Sequence, residues 1–582
     1  MSISPAHSRR YGSDLVVEFL IERGVRYVAL NPGASFRGLH DSLVNTPGAP
    51  EIILCPHEKQ AVNVAHGYAR ATGEVGVAIV HDIVGLLHGS LGIFTALHDR
   101  TPVMVLGGAG PMNSTLRRPW IEWLHTANVQ GNAVRDFTKF DDQPTAVEAI
   151  PHSLVRAWRV ALTEPAGPVY VALDAELQEA EVGPAIPHYE PSRVGPASPI
   201  GPDERTLTEA VRLLADARRP VIVAGHAGRD PLAFRQVPAL AELLAAAIVD
   251  TGHRLNAPNA HPLHLGPAAL DDADVVLLLD VKNPDRQLSR ERRHERGMEL
   301  RLPIGAKVVD VGFHDYHVRS WVQDSGAIVE TDVRLLADTR VALPLLAAQL
   351  RDRVAPEGAR RAAARDRRRA VLGAAHDAQR SKWAAEAANA GATRPIATAW
   401  LAREAWAAIR EEDWVLAGGT ANQWVGRLWD FDRSYRHAGM RIDAANQIGT
   451  AIGIALAHRD TSRLVVDVQP DGDLMYDLGA LWTASSQAIP LLVVMFNNRA
   501  YYNDFGHQQA IAAERGSDPE RITVGLVIEP TPDYARIAQG MGWHAEGPVT
   551  DPAEVRNAIA RAAKVVLQQR TPALVDVICQ YR

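Results

Sequence analysis

The stretch Val465–Asn498, VVDVQPDGDLMYDLGALWTASSQAIPLLVVMFNN, decides the fold. Leu464 to Val468 is rich in β-branched residues and predicts a strand buried on both faces. Pro470-Asp471-Gly472-Asp473 then predicts an acidic turn. Leu478 to Gln487 predicts a helix that stops before Pro490, and Leu491 to Phe496 a second apolar strand ending in Asn497-Asn498. This is a β-turn-α-β unit, whose parallel strands put their carboxyl ends on one rim of a sheet. Open α/β sheets bind ligands at that rim. A carboxylate and two amides there offer the oxygen ligands a hard divalent cation takes.

Outward from this unit the same pattern recurs. Ser13 is positioned to cap a helix over Asp14 to Arg23, and the strands Val25–Leu30, Ile52–Leu54, Val75–Val80, Val103–Leu106 and Val169–Leu173 alternate with helical stretches. Gly183 to Pro202 is proline-rich and reads as a linker. A second α/β module follows, with strands over 221–224, 247–250, 274–279 and 306–311. The turn Gly225-His226-Ala227-Gly228 after its first strand is a nucleotide-binding hint. Arg351 to Arg369 is dense in arginine and reads as a solvated linker helix. Pro395 opens the third module, with strands over 414–417, 464–468, 491–496 and 573–578. The expected fold is therefore α/β, three doubly wound parallel-sheet domains: 1–185, 203–345 and 393–582, with a helical linker over 346–392.

Composition agrees with 582 residues forming about three domains. A hydrophobic content of 47% allows large cores, and the net charge of −7 gives no reason to expect nucleic acid or a membrane surface as partner. Cys55 and Cys579 are the only cysteines, too few for a disulfide framework or a Cys-based zinc site. No window approaches the ~20 apolar residues of a membrane span. A cytoplasmic protein is the expectation.

Asp471-Gly472, a helix, a strand and Asn497-Asn498 together resemble the cofactor motif of thiamine-diphosphate-dependent enzymes, the family of acetolactate synthase, benzoylformate decarboxylase and pyruvate decarboxylase. The resemblance implies Mg2+ held by Asp471, Asn498 and the backbone carbonyl of Ala500. A divalent ion can join diphosphate to one carboxylate without burying net negative charge. The motif departs from the family at Asp473, where a Ser is usual. An ionised Asp only accepts hydrogen bonds, so Asp473 either points away from the diphosphate or joins the metal shell. Gly472 belongs to the same turn. Gly418-Gly419-Thr420 matches the other phosphate-side loop, with Thr420 and Asn422 as donors, and Tyr501 follows the metal segment. His57-Glu58 with Gly67-Tyr68-Ala69-Arg70 resembles the family's pyrimidine-side segment, which assigns Glu58 to N1′ of the aminopyrimidine. Ala444 to Gly449 aligns with the loop that holds the pyrimidine. Ile448 would be the wedge that bends the cofactor and the Asn446 carbonyl would accept from its amino group. The resemblance also implies a homodimer or homotetramer with active sites at the subunit interface.

The family resemblance leaves the reaction open. His81-Asp82 ends the third strand, where His resembles the proton-transfer histidine of benzoylformate decarboxylase, and Asn31-Pro32-Gly33-Ala34 resembles that enzyme's substrate loop with Ala34 in place of Ser. A second His, expected from the middle domain, has no match there. His81 is thus the candidate general acid/base, and Ala34, His57, His88, Gln130, Tyr502 and His507 are candidate substrate residues. The first expectation is non-oxidative decarboxylation of a 2-oxo acid, or related carboligation, on a small-molecule substrate. The others are acetolactate-type condensation with a structural FAD, and a non-catalytic thiamine-diphosphate binder.

Overall fold

The computed structural model describes residues 10–292, 297–317, 328–356, 358–440 and 444–581. It forms three parallel sheets. The first contains β1 (Tyr27–Leu30), β2 (Glu51–Leu54), β3 (Gly76–Val80), β4 (Val103–Ala109), β5 (Phe140–Asp142) and β6 (Val169–Asp174), in the order β2-β1-β3-β4-β6-β5. The second contains β7 (Pro220–Ala224), β8 (Ala247–Asp250), β9 (Val275–Leu279), β12 (Lys307–Gly312) and β13 (Val333–Leu336), in the order β13-β12-β9-β7-β8. Between β9 and β12, β10 (Ser289–Arg292) and β11 (Gly297–Leu300) pair with each other antiparallel. The third contains β14 (Trp414–Gly418), β15 (Leu464–Pro470), β16 (Leu492–Asn497), β17 (His544–Val549) and β18 (Ala573–Ile578), in the order β14-β15-β16-β18-β17. The three doubly wound parallel sheets read from hydrophobic runs are present. Strands β5, β10, β11, β13 and β17 lie outside the runs expected from the sequence.

The chain packs as two compact units. One comprises Met1–Ala197, Asp443–Thr461 and Tyr476–Leu491; the other comprises Ser198–Ile442, Ser462–Met475 and Leu492–Arg582. The proline-rich stretch contains the first boundary. Two helices from the last third of the chain, Gln447–Ala457 and Gly479–Ser486, are part of the first unit.

In that unit the Gln447–Ala457 helix crosses the Glu58–Thr72 helix at glycines. A Cβ on Gly67 would stand 2.0 Å from the Thr450 carbonyl oxygen, and one on Gly453 2.1 Å from that of Val64. Asn446 ties the crossing down, accepting from Asn63 (2.9 Å) and donating to Thr95 (2.8 Å) while fully buried. Packed interiors yield little to extra volume. Gly67→Ala is expected to cost about 3 kcal/mol, the upper end for overpacking; chemical denaturation of the variant measures it. A loss under about 1 kcal/mol would mean that the helices slide apart freely.

Three local expectations are corrected. The first helix runs over Gly12–Glu22 with Tyr11 at its N-cap, not Ser13. Asp14 turns back to accept from Tyr11 N at 2.7 Å, and Ser13 is instead buried against the Ser42 hydroxyl. Strand β15 continues to Pro470, and Asp471–Leu474 is one helical turn rather than an open turn. Its carboxylates Asp471 and Asp473 sit in the first turn, where the helix dipole favours them. The arginine-rich stretch belongs to two helices, Thr339–Val354 and Ala359–Asn389, and is not wholly solvated. Arg368 donates to the carbonyls of Leu244 and Ala245 at 2.5 and 2.8 Å, satisfying the end of the Ala233–Leu244 helix.

Candidate active site

In the first unit, β2 ends at Leu54 and the chain turns into the Glu58–Thr72 helix. Asn31 holds that turn by donating to the Cys55 carbonyl at 2.9 Å. His57 is the helix N-cap, its Nδ1 accepting from Lys59 N at 3.1 Å. Glu58 is thereby the first helical residue at the carboxyl rim of the sheet. It is buried, 6% exposed, with Oε2 3.1 Å from His88 Nδ1. The exposed His88 ring stacks on His57, centroids 4.7 Å apart. Burial, and next the nearby His88, lower the His57 pKa from its ordinary value. Gly85 lies over this corner. A Cβ there would meet His81 Cβ at 2.7 Å and Glu58 Oε1 at 2.8 Å, so only glycine lets the Ile83–His98 helix start so close.

His81 follows β3. Its Nδ1 lies 2.7 Å from Ser35 Oγ and its Nε2 3.3 Å from His125 Nδ1. Burial lowers its pKa, with His125 and Arg118 acting in the same direction and Glu58 against them. Asp82 beside it is fully buried. Neither carboxylate oxygen has a hydrogen-bond partner within 3.5 Å among the described residues, and burial, opposed by the Val84 backbone, pushes its pKa up to about 7. Ala34 opens a short 3-10 turn, and its carbonyl accepts from Arg118 at 3.0 Å. Gln130 is fully buried and donates to the Gly108 carbonyl (2.9 Å) and the Tyr170 hydroxyl (3.1 Å). Asn446 and Ile448 are buried at the start of the Gln447–Ala457 helix, and the Asn446 carbonyl accepts from Thr450 N at 3.1 Å.

The second unit carries the acidic rim. Asp471 is fully buried; Oδ1 accepts from Asn498 N at 3.1 Å, and Oδ2 has no partner among the described residues. Asn498 Oδ1 accepts from Ala500 N at 3.0 Å, across Arg499, whose φ of +57° makes the tight bend. Asn497 donates to Asp576 at 3.1 Å, and its own Oδ1 is buried without a partner among the described residues. Burial raises the Asp471 pKa to about 6 and that of Asp576 to about 7, where the charge of Asp471 adds to the effect. Buried carboxylates with unsatisfied oxygens are costly, and a bound divalent cation removes that cost. Asp471, Asn498 and Ala500 therefore fit such an ion. Asp473 is buried on the same helical turn. Gly472 faces Tyr501, whose ring would lie 3.2 Å from a Cβ there.

Strand β14 ends in Gly418. Gly419 has φ +88°, and Ala421, Asn422 and Gln423 follow at +42°, +56° and +73°. Three consecutive non-glycine residues in the left-handed region mark a strained loop of the kind concentrated at ligand sites. Asn422 is exposed there and Thr420 half-buried. Thr420 also lines a cavity of about 450 Å3, together with His264, His376, Arg380, Trp383 and Arg427. No motif reading pointed to this cavity. Tyr502, Phe505 and Tyr581 form a cluster of near-parallel rings with centroids 5.3–6.1 Å apart, and His507 is exposed on the Tyr502–Arg515 helix.

Ser35, Asp82 and His125 at the rim of the first unit, and Asp576 at that of the second, had not been singled out. For Asp576 a signal existed: a carboxylate inside the apolar strand ALVDVI has to be paired or functional.

Residues 10–130 match the model of the thiamine pyrophosphate enzyme N-terminal TPP binding domain, and residues 417–577 that of the C-terminal TPP binding domain. The chain is similar to the acetolactate synthase isozyme 3 large subunit of Escherichia coli, 24% identical over 96% of this chain and 93% of that one. It is 28% identical to the acetolactate synthase large subunit of Lactococcus lactis, in an alignment that spans 58% of this chain and 56% of the relative. Among solved structures, a thiamine diphosphate-dependent 4-hydroxybenzoylformate decarboxylase from Rhodococcus jostii superimposes with TM-score 0.74 at 20% identity, covering 98% of this chain and 100% of that one. Benzoylformate decarboxylase from Polynucleobacter necessarius does so with TM-score 0.74 at 18% identity, covering 98% and 99%. These two likenesses are of fold.

Proposed function

The chain belongs to the thiamine pyrophosphate enzyme family, and from that premise we propose that it is a magnesium-dependent carbon–carbon lyase or ligase of 2-oxo acids, with non-oxidative decarboxylation as its reaction. The observation that carries the reading is His81, an imidazole held at the same rim as Glu58 by Ser35 and His125. Decarboxylation leaves a carbon that needs a proton, and imidazole exchanges protons near neutral pH.

Thiamine diphosphate, when bound, supplies the nucleophilic carbon and the electron sink. The chain's own residues orient and protonate. Glu58 would hold the aminopyrimidine N1′, with Asn446 and Ile448 at the ring. Asp471, Asn498 and the Ala500 carbonyl would hold Mg2+. Gly418, Gly419, Thr420, Asn422 and the turn at Gly472 would serve the diphosphate, with Tyr501 alongside. Ala34, His57, His88, Gln130, Tyr502 and His507 remain substrate candidates. The sheets would divide the labour as pyrimidine-side (1–185), middle (203–345) and diphosphate-side (393–582) domains, the last two joined by 346–392. A homodimer or homotetramer in the cytoplasm completes the proposal.

The E. coli relative favours a second reading, since a protein similar over nearly the whole chain is named an acetolactate synthase. That reading adds condensation of two 2-oxo acids and FAD. A panel of aliphatic and aromatic 2-oxo acids, assayed for carbon dioxide and organic product, separates the two. The expected result is carbon dioxide with an aldehyde, from a protein without a flavin spectrum. A 2-hydroxy-2-alkyl-3-oxo acid from a yellow protein would establish the second reading, and no product from any member would refute both.

A further inference from the structure

His81 has both ring nitrogens engaged, and its two partners differ. Ser35, on Nδ1, is fully buried against Gly108, where a Cβ would stand 2.1 Å from its hydroxyl oxygen. His125, on Nε2, is only half-buried and comes from the short Ile121–His125 helix. The two rings meet edge to face with centroids 5.4 Å apart. Between facing imidazole nitrogens one must carry the proton and the other accept it. The chain Ser35–His81–His125 thus has a closed inner end and an outer end that reaches solvent.

We propose that His125 is a positioning residue for His81, setting its protonation and returning to its Nε2 the proton that turnover removes. This deepens the reading of the site as a 2-oxo acid lyase and rests on it. When the bond to carbon dioxide breaks, its electron pair stays on the substrate-derived carbon, which gains one proton. Imidazolium His81 gives that proton from Nε2 and is left neutral, its remaining proton on Nδ1 donated to Ser35 Oγ. With His81 Nε2 now bare, solvent protonates His125 at Nδ1; that N–H bond then breaks as the one at His81 Nε2 re-forms, and His125 returns to the neutral ring with its proton on Nε2. Net, one solvent proton reaches the product carbon.

The groups bearing on His81 give the proposal a sign. Asp82 Oδ1 lies 3.7 Å from Nδ1, and Glu58, Arg118 and His125 act through space. Two positive rings this close disfavour each other, so His125 holds the His81 pKa down and its removal lets it rise. The test uses the holoenzyme loaded with thiamine diphosphate and Mg2+, comparing wild type with His125→Asn and His125→Gln. Ring resonances of His81 are titrated by NMR, and kcat and KM are measured against pH. The expected result is a higher His81 midpoint in both variants. The pH limb of kcat moves up with it, and kcat falls at least about tenfold with KM little changed. A midpoint that stays put, or a kcat equal to wild type, overturns the proposal. Should the wild type turn over no 2-oxo acid, the reading of the reaction fails by itself, and the NMR midpoint still decides whether His125 governs His81.

Discussion

Glu58→Gln lowers turnover by at least about 10²-fold while thiamine diphosphate still binds. Glutamine keeps the shape of the side chain, which matters in this corner. Glu58 is wedged between Gly85 and His88, with Oε1 close to where a Gly85 Cβ would lie and Oε2 at 3.1 Å from His88. An amide fills the same space and keeps a polar partner for His88, so folding should survive. What it loses is the acidic proton: an amide neither gives one to a pyrimidine nitrogen nor takes it back. Steady-state kinetics and calorimetric titration of the cofactor are the paired measurements. Unaltered turnover with the cofactor bound would remove Glu58 from the catalytic role. A wild type that binds the cofactor but converts no substrate would favour the non-catalytic homologue.

Asp471→Asn has the second large effect, on cofactor loading rather than on chemistry. Magnesium-dependent affinity for thiamine diphosphate is expected to fall about 100-fold or more. The apo protein should be no less stable than wild type. In the fold without cofactor the Asp471 carboxylate is fully buried, has one oxygen without a partner among the described residues, and its charge raises the pKa of Asp576. Replacing it by an amide relieves that cost. A ligand that binds only the folded state raises the melting temperature by mass action. Wild type should therefore show a rise with Mg2+ and thiamine diphosphate that the variant lacks. An equal rise in both proteins would place the metal elsewhere.

Parts of this site were legible in residue order because they are local. A strand, a turn and a helix carry Asp471 to the rim within one βαβ unit, and β16 brings Asn498 beside it. His57, Glu58 and the glycine of the Gly67-Tyr68-Ala69-Arg70 segment lie on one helix. The helical turn at Asp471–Leu474 was missed because its glycine and two aspartates favour open turns as isolated residues, while the dipole of the closed turn favours the same carboxylates. Ser13 was misassigned for a related reason. A serine at a helix start caps well by itself, but Asp14 took the capping contact and Ser42 took Ser13.

The sequence by itself determined the class of the fold, three parallel sheets, because runs such as VVDVQP and LVVMFN are buried on both faces and have no other stable use. It also determined the residue types at the two rims, Glu58 on one and Asp471 with Asn498 on the other. Only the tertiary structure decided what surrounds them. Gly67 and Gly453 are required because two helix backbones, far apart in the chain, touch without side chains between them. His125 reaches His81, and Asp576 approaches Asp471, because the strands and loops that carry them converge on the same sheet rims. Such contacts have no period and no motif. They depend on where a fully packed core leaves room, which is a property of the folded molecule and not of any single stretch.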